Sequence, residues 1–305
     1  VIAATYSDEV NMVTCQVAHS VFSVPQKIAR LRSQSYLTAI YADLYRRDHM
    51  PIDVVISPEK EVADAALQRL SAPAAFDTEL FLDGDAQLLG LSIEQECPVV
   101  NTPLRQLTEL FSTLRATVVG IRRDGMLFAP EPDDQIFVGD AAYVISHVDD
   151  VRRTLELFGK PLRKQERVVL VGGGNVGLAV ARSLEANPKR VRAKMIERNR
   201  RQAEYAAETL ERTIVLHGDG LDAGLLFEAG IERADAVLCV TDDDKTNMLS
   251  AVRAKAVGCP MAIALVNDPT LVPLMDPLGI DAYISPRAST VSSILKHIRH
   301  GRVRD

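Results

Sequence analysis

The chain has 305 residues, of which 47% are hydrophobic and 25% charged, proportions that are ordinary for a globular protein of two or three domains. Its formal net charge of −6 argues against nucleic acid as a partner, because phosphate binding needs a basic surface. No apolar stretch approaches the ~18 residues that a membrane-spanning helix needs. The four cysteines are Cys15, Cys97, Cys239 and Cys259, and their spacing matches no metal-binding or redox motif. This is typical of reduced, buried thiols, which predicts a cytoplasmic compartment.

Residues 1–70 alternate short apolar runs with helical patterns. The predicted strands lie near Val1–Thr5, Lys27–Leu31 and Asp53–Ser57. The predicted helices are Glu9–Val21, Gln34–Arg46 and Glu59–Leu70. A half sheet of this kind leaves an edge strand unpaired. We therefore expect a truncated domain whose open edge is covered by a neighbour in an assembly, or which is poorly stable.

Residues 74–158 have a different pattern, with short strands, a helix and turn signals. The strands are predicted at Thr78–Leu82, Gln87–Ile93, Ala116–Ile121, Met126–Ala129 and Ala141–Ile145. Pro103–Phe111 is a predicted helix with proline in its first turn, and Asp124-Gly125 is a hairpin signal. The amphipathic helix Val151–Phe158 closes this small α+β module, and residues 159–166 are a charged linker.

Residues 167–305 alternate strand and helix regularly. The predicted strands are Val168–Val171, Arg192–Glu197, Thr213–Leu216, Ala236–Thr241, Met261–Val266 and Asp281–Ser285. Helices are expected between them and at the end of the chain, among them Asn175–Ala186, Lys245–Val257 (followed by Gly258 as a cap) and Ala288–Arg299. Apolar runs without alternation are typical of parallel strands buried on both faces. The pattern predicts an α/β fold with a doubly wound parallel sheet.

The first and last segments are copies of one another. Val1–Met12 (VIAATYSDEVNM) aligns with Val237–Met248 (VLCVTDDDKTNM). Ile52–Pro58 aligns in the same way with Ile280–Pro286. The offset between the copies drifts only slightly, as it does when duplicated domains differ by small loop changes. Residues 1–70 therefore represent the back half of a domain that is present in full at 167–305.

A glycine fingerprint follows the first strand of the full copy. Gly172 permits a tight turn, Gly174 lets the backbone approach a pyrophosphate, and Gly177 allows close packing of helix on strand. Glu197 ends the next strand, where it is placed to accept the ribose hydroxyls of an adenosine. A carboxylate there repels a 2′-phosphate, so NAD is favoured over NADP, although the adjacent Arg198 softens that preference. The motif predicts a Rossmann-like nucleotide-binding domain.

Other polar residues end the third and fourth strands of this sheet. Asp219 is a candidate acceptor for the adenine amino group, and Thr241 and Asp242 are candidates for the pocket wall near the second ribose. Asp244 is interpreted as the cap of the helix that starts at Lys245. The adjacent carboxylates also suggest a divalent cation, but no second cluster is visible, so no metal site is predicted. His217 is interpreted as a strand-end residue, and no histidine belongs to a catalytic constellation.

Three motifs together resemble the TrkA-type regulatory subunits of bacterial Trk potassium uptake systems, which contain tandem RCK (KTN) domains. They are GGGNVG at 172–177, TDDDKTNM at 241–248 with its echo TYSDEVNM, and DDQIFVGDAAYV at 133–144. In these terms, residues 1–70 are the back half of a first RCK N-domain and 74–158 its C-lobe. After the linker 159–166, residues 167–305 form a second, NAD-binding RCK N-domain. The resemblance implies that the chain is truncated at its N-terminus.

The resemblance implies a nucleotide-sensing subunit, not an enzyme. It binds NAD(H), with ATP or ADP as alternatives, and gates a potassium-translocating membrane subunit. Such a subunit is a homodimer or higher homo-oligomer, peripheral to the inner membrane. The implied cofactor residues are Gly172, Gly174, Asn175, Val176, Gly177, Glu197, Arg198, Asp219, Thr241 and Asp242. The alternatives are an NAD-dependent dehydrogenase with a reduced substrate domain, and an adaptor that uses the fold only to oligomerise.

Overall fold

The computed structural model describes residues 1–37, 43–46, 48–71, 75, 77–160, 166–186 and 191–298. These residues form two compact units. One unit combines Val1–Ala66 with the chain from Val168 onward, and the other is Leu67–Arg167. Most of the predicted linker, residues 161–165, and the last residues, 299–305, lie outside the described part.

The first segment is a three-stranded parallel half sheet with helices. Its strands lie in chain order: β1 (Ile2–Ala3), β2 (Ile28–Arg30) and β3 (Val54–Ile56). Its helices are α1 (Asp8–Ser20), α2 (Gln34–Leu37) and α3 (Pro58–Ser71). Of the predicted helix Gln34–Arg46, Gln34–Leu37 is helical and residues 43–45 form a 3₁₀ turn. Residues 38–42 lie outside the described residues, so the helix stays a prediction there.

The second unit is an antiparallel sheet covered by short helices. Its strands, in the spatial order β4-β5-β8-β6-β7, are β4 (Asp77–Phe81), β5 (Ala86–Ser92), β6 (Ala116–Arg123), β7 (Met126–Phe128) and β8 (Ala141–His147). Its helices are α4 (Leu104–Leu110) and α5 (Val151–Leu157). Pro103, predicted in the first turn of the helix, occupies the N-cap position of α4, one residue before its first turn. The Asp124-Gly125 hairpin is confirmed: both residues have positive φ, as a type I′ turn requires.

An ion pair between the partly exposed Arg123 and the buried Asp140 joins the sheet of this unit to the loop before β8. Arg123 donates through Nε and Nη2 to the two carboxylate oxygens of Asp140, at 2.8 and 2.7 Å. The Phe137 N–H donates to the same carboxylate, and the Arg123 guanidinium stacks 4.4 Å from the Phe137 ring centroid. The guanidinium lowers the pKa of Asp140 because it stabilises the ionised carboxylate.

The segment from Arg167 onward forms a six-stranded sheet in the order β11-β10-β9-β12-β13-β14. Its strands are β9 (Arg167–Val171), β10 (Arg192–Glu197), β11 (Ile214–His217), β12 (Ala236–Cys239), β13 (Ala262–Leu265) and β14 (Ala282–Ile284). Its helices are α6 (Asn175–Ala186), α7 (Arg200–Thr209), α8 (Ala223–Ala229), α9 (Asp244–Ala256) and α10 (Pro286–Ile298). The strands pair in parallel. This is the doubly wound order, with the change of direction between β9 and β12.

The duplication extends to individual hydrogen bonds. Asn247 is fully buried, and its amide oxygen accepts from the Thr241 N–H and hydroxyl at 2.8 and 2.7 Å. Its amide nitrogen donates to the carbonyl oxygens of Thr241 and Leu265, which ties the end of β12 to the end of β13. In the first copy, Asn11 makes the same four bonds to Thr5 and to the carbonyl oxygen of Arg30. The two segments are therefore copies of one fold.

Candidate functional site

An open cleft of about 550 Å³ lies at the point where the strand order of the six-stranded sheet reverses. The ends of four strands and the first turns of α7 and α9 line it: Val171, Gly172, Gly174, Ile196, Glu197, Arg198, Asn199, Arg201, Gln202, Asp219, Gly220, Val240, Thr241, Asp242, Asp243 and Thr246. Ligands bind at this position in doubly wound sheets, and a volume of this size is in the range of small-molecule pockets.

Two glycines of the fingerprint are required by packing inside the protein. Gly172 has φ +111°, and a Cβ there would lie 2.9 Å from the backbone nitrogen of Thr241. A Cβ on Gly177 would overlap the carbonyl oxygen of Gly172. These two residues allow β9, β12 and α6 to approach one another closely, as the sequence predicted.

Gly174, unlike Gly172 and Gly177, is not closely packed by other protein atoms. It is exposed in the cleft wall, and a Cβ there would meet no protein atom within 4 Å. Protein packing therefore does not explain the glycine, whereas a ligand lying against the backbone would. The N–H groups of the first turn of α6 have no carbonyl partner inside the helix, and they favour an anion. The loop therefore fits the diphosphate of a nucleotide.

Glu197 ends β10 with both carboxylate oxygens held by the backbone. One oxygen accepts from the Gly173 N–H at 2.6 Å, and the other accepts from the Asn199 N–H at 2.7 Å. A carboxylate has about four acceptor sites, so each oxygen retains capacity for a ligand hydroxyl. This geometry fits the two adjacent hydroxyls of a ribose.

The remaining predicted residues divide into two groups. Arg198, Asp219, Thr241 and Asp242 line the cleft. The Thr241 hydroxyl, however, already donates to Asn247, and one oxygen of Asp219 accepts from the Leu221 N–H. Asn175, Val176 and Gly177 are not among the lining residues, so the first two are expected to act through the backbone N–H groups of α6.

The helix cap predicted at the end of β12 was wrong by one residue. Asp243 is the N-cap of α9: its carboxylate accepts from the N–H and the hydroxyl of Thr246 at 2.9 and 2.5 Å. These bonds lower the pKa of Asp243 because they stabilise its ionised form. Asp244 lies inside the helix, where its carboxylate instead accepts from the N–H groups of Asn267 and Asp268.

Of the lining residues that sequence reasoning missed, three lie together at the start of α7: Asn199, Arg201 and Gln202. Asn199 carries a recognisable signal, because an asparagine just after a strand is a preferred helix cap, and it does accept from the Gln202 N–H. Nothing in the sequence indicates that Gln202 contacts the glycine loop, which lies 29 residues earlier in the chain.

Metal-ligating side chains are not clustered among the described residues. Within them, no group of three His, Cys, Asp or Glu side chains is arranged to hold a metal ion. His217 is the last, exposed residue of β11, as the sequence predicted. The four cysteines are buried and unpaired, and burial raises the pKa of each thiol.

The sheet order and the cleft define a Rossmann-like α/β protein that contains a second, partial copy of the same domain. The TrkA-N domain family matches residues 1–58 and 168–286, and the TrkA-C domain family matches residues 88–159. The chain therefore belongs to the TrkA family. The Rossmann-like fold class and the TrkA resemblance predicted from the sequence are both confirmed.

Several relatives are named Trk system potassium uptake protein TrkA. The chain is 48% identical to that of Azorhizobium caulinodans over 99% of its own length and 66% of the relative's. It is 35% identical to that of Halomonas elongata over 99% and 65%. It is 30% identical to the TrkA homolog 1 of Methanosarcina mazei over 97% and 72%. The chain thus spans about two thirds of the length of these relatives.

Solved structures agree on the fold. A structure described as the GsuK channel bound to NAD has a TM-score of 0.64 at 20% identity, covering 97% of this chain and 50% of that one. The GsuK RCK domain has a TM-score of 0.63 at 20% identity, covering 96% and 60%. None of the described helices has the length and apolar character needed to span a membrane.

Proposed function

We propose that this chain is the nucleotide-sensing part of a regulatory subunit for potassium uptake, and that NAD(H) is its ligand. The observation that carries the proposal is the cleft at β9–α6, where Gly174 leaves open space beside the free N–H groups of a helix start. The names of the relatives support the potassium system, and the NAD in the GsuK channel structure supports the ligand.

The cleft has a part for each half of an adenine dinucleotide. The diphosphate lies against the Gly174 backbone and the first turn of α6. The adenosine ribose donates its hydroxyls to Glu197, with Asp219 beside the adenine. Thr241 and Asp242 form the wall on the side of β12, toward the second ribose. Arg198, Asn175, Val176 and Gly177 complete the proposed site.

The same geometry ranks the candidate ligands. Because two N–H donors fix the Glu197 carboxylate in the cleft, a 2′-phosphate beside it would be repelled, which disfavours NADP(H). ADP and ATP share the adenosine diphosphate and therefore compete for the site. A structure of GsuK bound to ADP supports this overlap.

The direct test is calorimetric titration of the purified chain with NADH, ADP and ATP. We expect Gly174→Asp to abolish binding, because its carboxylate enters the diphosphate position. We expect Glu197→Ala to weaken binding of all three about 10–100-fold, the cost of losing a charged hydrogen-bond acceptor. Absence of binding by the parent chain, or unchanged binding in both variants, would refute the site.

In this proposal, nucleotide binding regulates a potassium-translocating membrane subunit. The protein binds that subunit on the cytoplasmic face of the membrane, as a homodimer or higher homo-oligomer. A ligand shifts such an assembly only if it prefers one conformation, and a tenfold preference is worth about 1.4 kcal/mol per site. Measuring potassium flux in vesicles that hold the membrane subunit and the full-length regulatory subunit tests this step. We expect flux to change with NADH in the parent and not in Gly174→Asp.

The dehydrogenase alternative makes the opposite prediction. Hydride transfer needs a proton donor beside the nicotinamide, most often a histidine. The described residues that line the cleft include carboxylates and arginines but no histidine, lysine or tyrosine. We expect no change of NADH absorbance with small hydroxy or amino acids. The adaptor alternative predicts the same X-ray scattering profile with and without nucleotide, whereas a sensor changes its profile.

A further inference from the structure

A closed ring of hydrogen bonds connects the glycine loop to the first turn of α7. The Gly173 N–H donates to one oxygen of Glu197, and the Asn199 N–H donates to the other. The Gln202 N–H donates to the Asn199 side chain, and the Gln202 side-chain nitrogen donates to the Gly173 carbonyl oxygen at 2.7 Å. Gly173 is therefore held at both its N–H and its carbonyl group.

We propose that Gln202 is a positioning residue that holds the Gly173–Gly174 peptide in the orientation that binds a diphosphate. The inference rests on the proposed function and deepens it. Neither glycine has a Cβ, so the peptide between them meets little steric resistance to rotation. Because the peptide is planar and trans, fixing the Gly173 carbonyl also fixes the direction of the Gly174 N–H.

The chemistry of the contact is unambiguous. A carbonyl oxygen only accepts, so the Gln202 amide must present its nitrogen to Gly173. Position 173 also leaves little room for a side chain, because a Cβ there would lie 3.1 Å from both the Glu197 Cβ and the Met195 sulfur. Gly173 is thus closely packed by the protein, Gly174 is open to the ligand, and Gln202 fixes the peptide that joins them. Such pre-organisation strengthens binding because the loop loses less conformational entropy when the ligand binds.

The test compares Gln202→Met, which keeps the length of the side chain but removes the donor, with Gln202→Glu, which keeps its shape but places an acceptor there. The matched control is Gln106→Met on the exposed surface of α4. The first measurement, in the ligand-free protein, is the chemical shift and hydrogen exchange of the Gly173 and Gly174 amides by NMR. The second is competition of ADP and of adenosine against NADH.

We expect both Gln202 variants to shift these amide signals and speed their exchange, while the control leaves them unchanged. ADP should bind about tenfold more weakly to both variants, and adenosine less than twofold, because only ADP contacts the loop. Unchanged glycine amides, or equal weakening of ADP and adenosine, would overturn the inference. If the parent binds no nucleotide, the proposed function fails, and the amide signals of the free protein still decide whether Gln202 holds the loop.

Discussion

At the scale of single residues, the glycine fingerprint combines positions with different physical origins. At Gly172 and Gly177 backbone atoms occupy the space of a Cβ, and at Gly173 a Cβ would fit only tightly against side-chain atoms. Gly174 is a glycine although that space is empty. The sequence motif alone does not distinguish a glycine that is required by packing from one that faces a ligand, whereas alanine substitution does.

Gly177→Ala should therefore lower mainly stability, whereas Gly174→Ala should lower mainly the affinity for NADH. Gly177→Ala forces its methyl group onto the Gly172 carbonyl oxygen, so we expect a loss of at least ~2–3 kcal/mol in the free energy of unfolding. Gly174→Ala should leave stability within about 1 kcal/mol but weaken NADH binding. Urea unfolding and calorimetry measure the two quantities. Equal destabilisation by both variants would show that Gly174 is also a packing residue.

At the scale of elements, buried side chains fasten strand ends to helices. Asn247 joins β12, β13 and α9, and Asn11 does the same for β1, β2 and α1. Each amide pairs with backbone N–H and C=O groups at the strand ends that are at least partly buried and would lose these partners without it. These bonds place the wall of the cleft at Thr241.

We predict that Asn247→Ala lowers the free energy of unfolding by about 3 kcal/mol, since it removes four hydrogen bonds, of which the one to the Leu265 carbonyl oxygen is fully buried. Asn11→Ala should destabilise the first segment to a similar degree, because its four hydrogen bonds are the same. Chemical denaturation of both variants measures this. A loss below about 1 kcal/mol in either would mean that water replaces the amide.

The Arg123–Asp140 pair predicts an acid-dependent stability in the second unit. Asp140 is 3% exposed and its pKa is lowered on folding, so its contribution is present above the unfolded value of about 3.9 and disappears as the pH falls through the lower folded value. We expect Asp140→Asn to cost about 2 kcal/mol at pH 7 and progressively less below about pH 4. Unfolding curves from pH 7 to pH 2.5 measure the difference.

The control for this pair is Asp124→Asn in the exposed hairpin turn, where asparagine tolerates the positive φ. It should change stability by less than about 0.5 kcal/mol at every pH. If the loss in free energy of unfolding caused by Asp140→Asn stays constant from pH 7 to pH 2.5, the side chain of Asp140 stabilises the unit through packing and not through its charge.

At the scale of the whole molecule, the cleft belongs to one compact unit and the Arg123–Asp140 pair to the other. Each unit has its own buried core, around Val237 and Leu226 in the first and around Leu89 and Leu155 in the second. A ligand stabilises only the structure whose unfolding destroys its site.

NADH at about 100 times its dissociation constant should therefore add about 2.7 kcal/mol to the unfolding of the unit that holds the cleft. Hydrogen exchange should slow in β9 and β12, with β5 and β8 unchanged. Gly174→Asp, which blocks the cleft, should remove the effect. The same slowing in that variant would show that NADH binds elsewhere on the protein.

The order of strands and helices could be read from the sequence to within one or two residues, because buried parallel strands and capped helices carry local signals. The duplication and the glycine fingerprint were equally visible, since both depend on residue identity at fixed spacing. The helix cap, which lies on Asp243 and not on Asp244, is an error of one residue at a helix boundary. The start of a helix depends on which side chain accepts a hydrogen bond from the N–H groups of the first turn. Asp243 and Asp244 carry the same carboxylate, so the sequence alone does not tell which of them does so.

Fold class, repeat and nucleotide motif were thus determined by the sequence itself. Only the tertiary structure decided which side chains meet at the cleft. It brings Gln202 to Gly173, commits the Thr241 hydroxyl to Asn247, and leaves open space at Gly174. These contacts join residues from separate strands and helices, and their distances are set by how helices pack on a twisted sheet, which no local pattern of residues records.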